Sequence, residues 1–363
     1  MIKSPKVPTL IALSFCLLFV IFLILTLISC STEKSYYKGQ KSDHFNGKVF
    51  FNHGDSEIRN DSFFQYFRAK KQYLLKNGKQ QWPSEISQNP TMINVPLKII
   101  DDGKVHVTFI GHSTFLLQLE GLNIVTDPIW SKTAGPTSFL DPKRSIAPGI
   151  NFNDLPKIDA VLISHSHYDH LDIPTVKMLK THSNPIFFAG LGICHYLNNV
   201  KNLNVKCVEM DWNNYATIGE LKIHFLEAKH WSKRAIFGSN VTLWGAFVLE
   251  SRLGNIYFTG DTGYGDHFKK AAEKFDTFKL SLISIGAYKP LDFMHNHHLS
   301  PEEAVMVHLD LNSTKSIAMH FDTFKLGLEN YNDAVKGLAI AKGKYHIKND
   351  GFMVMNVGDE ETF

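Results

Sequence analysis

From Val105 onward, apolar and polar positions alternate with a period of two. Val105, Val107 and Phe109 fall on one side, Gly111 breaks the run, and Phe115, Leu117 and Leu119 resume it before Gly121. This pattern predicts the half-buried strands of a hairpin, because successive side chains on a strand face opposite sides. Residues 123–128, Asn-Ile-Val-Thr-Asp-Pro, predict a further strand that ends in an acidic turn at Asp127. Ala160-Val161-Leu162-Ile163 is a continuous apolar run, too short for a helix, and reads as a buried strand. Beyond it the two periodicities alternate. Strands are expected over 185–188, 205–208, 221–226, 241–250, 255–259, 280–285 and 316–319. Helices are expected from Asp172 and Pro174 to about Lys180, over 190–197, around 268–275, and from Pro301, where Glu302 and Glu303 suit a helix N-terminus. Upstream, Ser62 can cap a helix that ends near Gly78, with Phe63, Tyr66, Phe67, Tyr73 and Leu74 as an apolar core stripe. Periodicity by itself predicts a mixed α and β layered domain.

The first 104 residues follow different rules. Lys3 and Lys6 precede an apolar run from Leu10 to Ile28, which closes on Ser29-Cys30 with no acidic residue before it. This resembles a bacterial lipoprotein signal, in which cleavage precedes a Cys that carries the lipid. A transmembrane anchor is the other reading, since the run is close to the roughly 20 residues that span a bilayer. Either way the chain is held at a membrane, through a lipid on Cys30 or through an N-terminal helix. The domain is then placed outside the cytoplasm, in a bacterial cell envelope. Residues 1–29 are therefore expected to be a signal peptide or anchor, 30–104 a tether and N-terminal extension, and 105–358 the catalytic domain. Within the tether, 43–51 brings in Phe45, Phe50 and Phe51 and is expected to lie against the domain, with His44 and His53 as surface groups.

Composition excludes more than it assigns. Hydrophobic residues make up 44% of 363 and charged residues 20%, the balance of an ordinary globular chain. The formal charge of +3 falls by two, to +1, when Lys3 and Lys6 leave with the first 29 residues, so nucleic acid is not an expected partner. Cys194 and Cys207 are the only cysteines after Cys30. Their pairing and the oligomeric state are both left open by the sequence.

Chemistry concentrates at Ser164-His165-Ser166-His167-Tyr168-Asp169-His170, directly after the 160–163 run. His165 and His167 are two residues apart, so on an extended segment their imidazoles project to one side and can share a cation. Asp169 and His170 add a carboxylate and another imidazole as the chain turns. These donors suit zinc and other divalent first-row metals. They exceed one ion's tetrahedral share once distant donors join, which points to a two-metal site. Distant candidates also stand at strand ends: His230 after 223–226, Asp261 after 256–260 and His320 after 317–319.

A strand ending in His-x-His-x-Asp-His resembles the signature of the metallo-β-lactamase fold superfamily. A narrower resemblance rests on Thr108-Phe109-Ile110-Gly111-His112-Ser113-Thr114, Thr126-Asp127-Pro128-Ile129, Pro142-Lys143-Arg144, Lys229-His230-Trp231, Leu243-Trp244-Gly245, Gly260-Asp261-Thr262-Gly263-Tyr264, Ile285-Gly286-Ala287-Tyr288 and Ser300-Pro301-Glu302-Glu303-Ala304-Val305. Over about Asp43 to Thr323 the chain resembles N-acyl-phosphatidylethanolamine-hydrolysing phospholipase D and its bacterial relatives.

That resemblance implies an α+β fold, a four-layer αβ/βα sandwich, here with an N-terminal helical extension. It implies two Zn(2+) ions, with another divalent metal open: His165, His167 and His230 on one, Asp169, His170 and His320 on the other, and Asp261 between them. Asp169 and Asp261 are thus also catalytic candidates. So is His298, which stands before Ser300-Pro301-Glu302 where the family has a histidine near the substrate phosphate; His295 and His297 are its rivals. Asp127 either shapes its turn or supports the metal loop. The implied activity is hydrolysis of a phosphodiester, phospholipase-D-like, on a phospholipid or small-molecule substrate. A lactonase or β-lactamase on the same fold and a non-catalytic binding lipoprotein are the alternatives. One departure bears on substrate: Tyr288 is followed by Lys289-Pro290-Leu291-Asp292, where the family commonly has an acidic residue and then Pro-Arg. A headgroup cation has therefore moved or vanished. Trp130, Phe139, Trp231, Phe237, Phe293 and Phe321 adjoin the metal motifs and are candidates to line a groove for acyl chains.

Overall fold

The computed structural model describes residues 17–21, 35–54, 63–83, 98, 100–137, 140–234 and 238–363. Cys30, the Ser62 cap, Phe139 and Phe237 lie outside the described residues. Residues 17–21 are helical, and among the described residues no helix is long and apolar enough to cross a membrane.

Two seven-stranded sheets form the frame. In the first, β1 (His106–Gly111), β2 (Thr114–Leu119), β3 (Leu122–Thr126), β4 (Ala160–Ile163), β5 (Ile186–Gly190) and β6 (Lys206–Met210) lie in chain order. The second holds β7 (Tyr215–Ile218), β8 (Leu221–Leu226), β9 (Ala246–Ser251), β10 (Gly254–Phe258), β11 (Phe278–Ser284), β12 (Ser313–Met319) and β13 (Phe352–Met353), also in order. The last strand, β14 (Glu360–Thr362), lies beyond residue 358 and returns to pair with β1. Each sheet starts antiparallel and turns parallel, at β3–β4 in one and β10–β11 in the other. Parallel neighbours need crossovers. Helix Ile173–His182 bridges β4 to β5, helix His267–Phe275 bridges β10 to β11, helix Pro301–Asp310 bridges β11 to β12, and helix Asp333–Lys344 bridges β12 to β13.

The layers follow from which side chains each strand face carries. Phe115, Leu117 and Leu119 pack with Phe225, Phe247, Phe258 and Leu282 between the sheets. On the outer face of the first sheet, Leu116, Val125, Val161 and Phe187 meet Val176 and Leu179 of helix Ile173–His182. On the outer face of the second, Val248, Tyr257 and Ile283 meet Phe268, Val305 and Leu338. The order is helices, sheet, sheet, helices, as the resemblance implies. Every residue of β2 is buried, so the half-buried strand expected there is covered on both faces. Each large side chain so enclosed contributes about 1.5–3 kcal/mol.

Several expected elements change. The strand expected over 241–250 begins only at Ala246. Before it, Leu243 N–H donates to Leu191 O and Gly245 N–H to Ser164 O, so this backbone is bonded to the neighbouring loops rather than to a ladder. The helix expected over 190–197 is displaced, because Gly190 closes β5 and Gly192 takes a φ of 87°. One turn, Ile193–His195, and the wider turn Tyr196–Val200 follow. Helix Phe63–Asn77 forms, with Phe67 exposed to solvent and Tyr73 and Leu74 half-buried, so these three are not the core positions expected.

The N-terminal segment packs closely on the domain. Phe45 and Phe50, 1% and 0% exposed, join the core between the sheets. His44, expected at the surface, is buried: its ring stacks on Trp212 with centroids 4.4 Å apart and lies between Asp43 and Asp211.

Cys194 and Cys207 are joined by a disulfide, their Cα atoms 5.6 Å apart and separated by 13 residues. The bond ties the turn after β5 to β6. Closing a loop near this length restricts the unfolded chain by about 3 kcal/mol. Reduction, or Cys194→Ala with Cys207→Ala, should lower the denaturation midpoint by about that free energy while leaving bound metal unchanged. A midpoint indifferent to reductant would show that the bond adds no stability.

Candidate metal centre

All the candidate ligands sit at the same end of the sheets. β4 runs out at Ile163 and delivers His165 and His167 on the irregular backbone that follows it. Leu171 N–H then donates to His167 O, and this turn swings Asp169 and His170 back toward the same point. His230 lies in the loop after β8 and Asp261 just past β10. His320 follows β12 in a left-handed conformation, φ 61°, held by its N–H donating to His112 O. Two glycines make the approach feasible. A Cβ at Gly260, which has φ 55°, would lie 2.6 Å from Ser164 Cβ, and one at Gly286 would lie 1.9 Å from the His320 carbonyl oxygen.

The donors fall into two groups. In one, His165 Nε2 and His230 Nε2 stand 2.8 and 3.2 Å from His167 Nδ1. In the other, His170 Nε2 and His320 Nε2 stand 3.2 and 3.3 Å from Asp169 Oδ2. Asp261 Oδ2 is 3.2 Å from both nitrogens of the second group and 3.9 Å from His165 Nε2 and His230 Nε2 of the first. The residues named from the sequence are thus brought together in the grouping the resemblance implies.

Donor chemistry and protonation fit divalent cations. His170 Nε2, His320 Nε2 and Asp261 Oδ1 are buried without a hydrogen-bond partner. Burial holds His165 and His230 well below the usual imidazole range and brings His167 down to about 4, so these rings are neutral at pH 7 and each carries one lone pair. Burial opposes ionisation of Asp169 and Asp261, but the adjoining His170 prevails and both lie well below the carboxylate range. Burial likewise disfavours charge on His170 and His320, but Asp261 prevails, raising His170 well above its usual value and His320 to about 9. The two carboxylates therefore demand positive charge, which protons on His170 and His320 or divalent cations can supply.

A surrounding shell orients these rings. His170 Nδ1 donates to Asp127 Oδ2 at 2.7 Å, and Asp127 also accepts from Ser164 N–H at 2.7 Å and Ser164 Oγ at 2.5 Å. Asp127 thus does more than shape its turn. His230 Nδ1 donates to His297 O at 2.8 Å, which leaves Nε2 to face the group. His298 is next to the centre, its Nδ1 3.7 Å from Asp261 Oδ2; His297 supplies its carbonyl, and His295 is exposed.

Two members escaped the sequence reading. His112 Nε2 is 2.9 Å from Asp169 Oδ2, deep in the second group. Its signal was present in Gly111-His112-Ser113, but a lone histidine has no ligand spacing. Asn52 grips the His230 peptide from both sides: Nδ2 donates to His230 O at 3.0 Å and Oδ1 accepts from His230 N–H at 3.1 Å. Trp244 Nε1 donates to the same Oδ1 at 3.0 Å. No sequence pattern marks such a contact across 178 positions.

Partly exposed His167, His298 and Trp231 mark the mouth of the centre, with Trp231 edge-on to His167 at 4.6 Å, while Phe293 lies 6.4 Å from the His297 ring. Trp130 instead donates to Ile150 O and packs on Phe152 outside the first sheet, and Phe321 packs beside Phe109. Lys289, at the position where the motif departs from the family, pairs with Asp333 at 2.9 Å.

Residues 122–321 match the model of a beta-lactamase superfamily domain. The chain is 36% identical over 266 residues to N-acyl-phosphatidylethanolamine-hydrolyzing phospholipase D 1 of Caenorhabditis elegans, covering 69% of this chain and 74% of that protein. It is 31% identical over 241 residues to the mitochondrial N-acyl-phosphatidylethanolamine-hydrolyzing phospholipase D of Saccharomyces cerevisiae, covering 62% of this chain and 49% of that one. Among solved structures, Igni18, a metallo hydrolase from the archaeon Ignicoccus hospitalis, superposes with a TM-score of 0.53 at 20% identity, over 72% of this chain and 98% of that one.

Because Asp127 orients His170 and supports its basicity, Asp127→Asn should weaken by about 10- to 100-fold the binding of any divalent ion that the Asp169, His170 and His320 group takes up. Binding of an ion by the His165, His167 and His230 group should be little changed. Chelator competition on the full chain resolves the two, and two unaltered affinities would remove Asp127 from this role.

Proposed function

This chain belongs to the beta-lactamase superfamily and is a metal-dependent hydrolase, and from that premise we propose that it cleaves a phosphodiester bond in a phospholipid, with two zinc ions as cofactors. The observation that carries the reading is Asp261 Oδ2 standing between two complete donor groups in a chain that is similar to a phospholipase D over 69% of its length. His165, His167 and His230 would hold one ion and Asp169, His170 and His320 the other, with Asp261 shared. Such a pair supplies Lewis-acid activation of water and of the phosphoryl oxygens.

The protein's own groups do the rest. Burial holds the His298 ring down at about 3, so it meets an incoming substrate as a neutral imidazole with one N–H to donate to a phosphoryl oxygen. Trp231 gives the mouth apolar surface against which an acyl chain can lie. Lys289 is engaged with Asp333, so it is not the cation for a headgroup, and the substrate need not be an N-acyl phospholipid. The Lys3, Lys6, Leu10 to Ile28 and Cys30 pattern supports anchoring at the envelope, and the Cys194–Cys207 disulfide suits an oxidising compartment.

If remote apolar contacts position the phosphorus, hydrolysis should rise with acyl-chain length. It should be more than about tenfold faster on phospholipid vesicles than on a soluble nitrophenyl phosphodiester, a difference above about 1.4 kcal/mol in barrier. Equal rates on both, or preference for a lactone or β-lactam in the same panel, would overturn the lipid reading and leave the metal centre standing.

Anchoring is tested separately. In cells fed a labelled fatty acid, the wild-type chain should take up label and partition into detergent, and Cys30→Ser should do neither. An unlabelled wild type that stays in the membrane at full length would establish the transmembrane anchor instead.

A further inference from the structure

Away from the metal centre, two imidazoles of the N-terminal segment stand among three carboxylates. His44 Nδ1 is 2.7 Å from Asp43 Oδ1, and its Nε2 is 2.7 Å from Asp211 Oδ1. His53 Nε2 is 3.2 Å from Asp43 Oδ2, and its Nδ1 is 2.9 Å from Glu227 Oε1. A neutral imidazole carries one N–H. With both nitrogens of both rings facing carboxylate oxygens, each neutral ring aims one lone pair at an anion. We propose that Asp43, His44 Nδ1 and His53 Nε2 form a third cation site, which takes a zinc-class divalent ion and pins the strap of residues 42–53 to the domain.

The outer partners match what such a site requires. With the inner nitrogens on the ion, His44 Nε2–H donates to Asp211 and His53 Nδ1–H to Glu227, the arrangement that fixes the tautomer and orientation of metal-binding imidazoles. Two neutral nitrogens and a carboxylate oxygen form a zinc-type donor set, and the possible ligand atoms of the three residues lie within 4.8 Å of one another. Ser42 Oγ also lies beside the set, 3.4 Å from His44 Nδ1. Asp43 is 74% exposed, which leaves the remaining position open to water. Trp212 holds both rings, stacked on His44 at 4.4 Å and edge-on to His53 at 5.1 Å. The strap this ion would pin also carries Asn52, which grips the His230 peptide, so strap and metal centre are mechanically joined.

The test compares the full-length wild type with His53→Gln and Asp43→Asn in zinc-buffered solution. Wild type should hold about three zinc ions and each variant about two. Anomalous scattering at the zinc edge should show a peak between Asp43 and His53, and zinc should slow hydrogen exchange over 42–53 in wild type and not in His53→Gln. Equal metal content in wild type and His53→Gln, or anomalous peaks confined to the metal centre, would overturn the site and leave protonated imidazoles as what holds these carboxylates together. The wild-type scattering decides the matter even if a variant folds poorly.

Discussion

A carboxylate sealed from water survives only beside positive charge, and Asp261 is 3% exposed. One of its oxygens is within 3.2 Å of two imidazole nitrogens and 3.9 Å of two more, and the other has no hydrogen-bond partner. The surrounding structure is arranged to keep that crowding tolerable. β10 ends rigidly between β9 and β11, Gly260 lets the chain pass Ser164, and Asp127 balances His170 from the far side. Removing one partner from such a set leaves the others as uncompensated buried charge, which is why the centre behaves as a unit rather than as separate side chains.

The two sheets share the work unequally. The first contributes the loop after β4, with His165, His167, Asp169 and His170, and adds His112 from the turn between β1 and β2. The second contributes single residues from three separate loops, His230, Asp261 and His320. Each donor group takes ligands from both sheets, so packing between the sheets closes each group. The strap of residues 42–53 reinforces this from outside, with Phe45 and Phe50 in the intersheet core and Asn52 on the His230 backbone.

Much of this arrangement was legible in the sequence. Strand ends followed by His or Asp are readable because a short apolar run and a ligand-type residue are both local signals, and the layered fold follows from the family motifs together with alternation. What escaped depends on tertiary contact. Alternation along β2 cannot tell a strand covered on one face from one covered on both. Val241 to Gly245 look like strand residues, yet their backbone bonds go to the neighbouring loops. His44 reads as a polar loop residue until Trp212 and Asp211 close around it. Asn52 acts through a peptide group 178 positions away, a contact that residue type alone does not encode.

The division of donors between one loop and three has a consequence for how the chain handles metal before it is folded. His165, His167, Asp169 and His170 stay neighbours in the unfolded chain, whereas His320 lies about 150 residues away and arrives only after a long loop closes. An ion can therefore find a partial site on the nascent chain. Binding to the unfolded state subtracts from the stabilisation that binding gives the folded one. Ions taken up by the centre would thus stabilise the native protein less than its full donor set suggests, and the loop that would start metal capture would also limit how strongly metal drives folding.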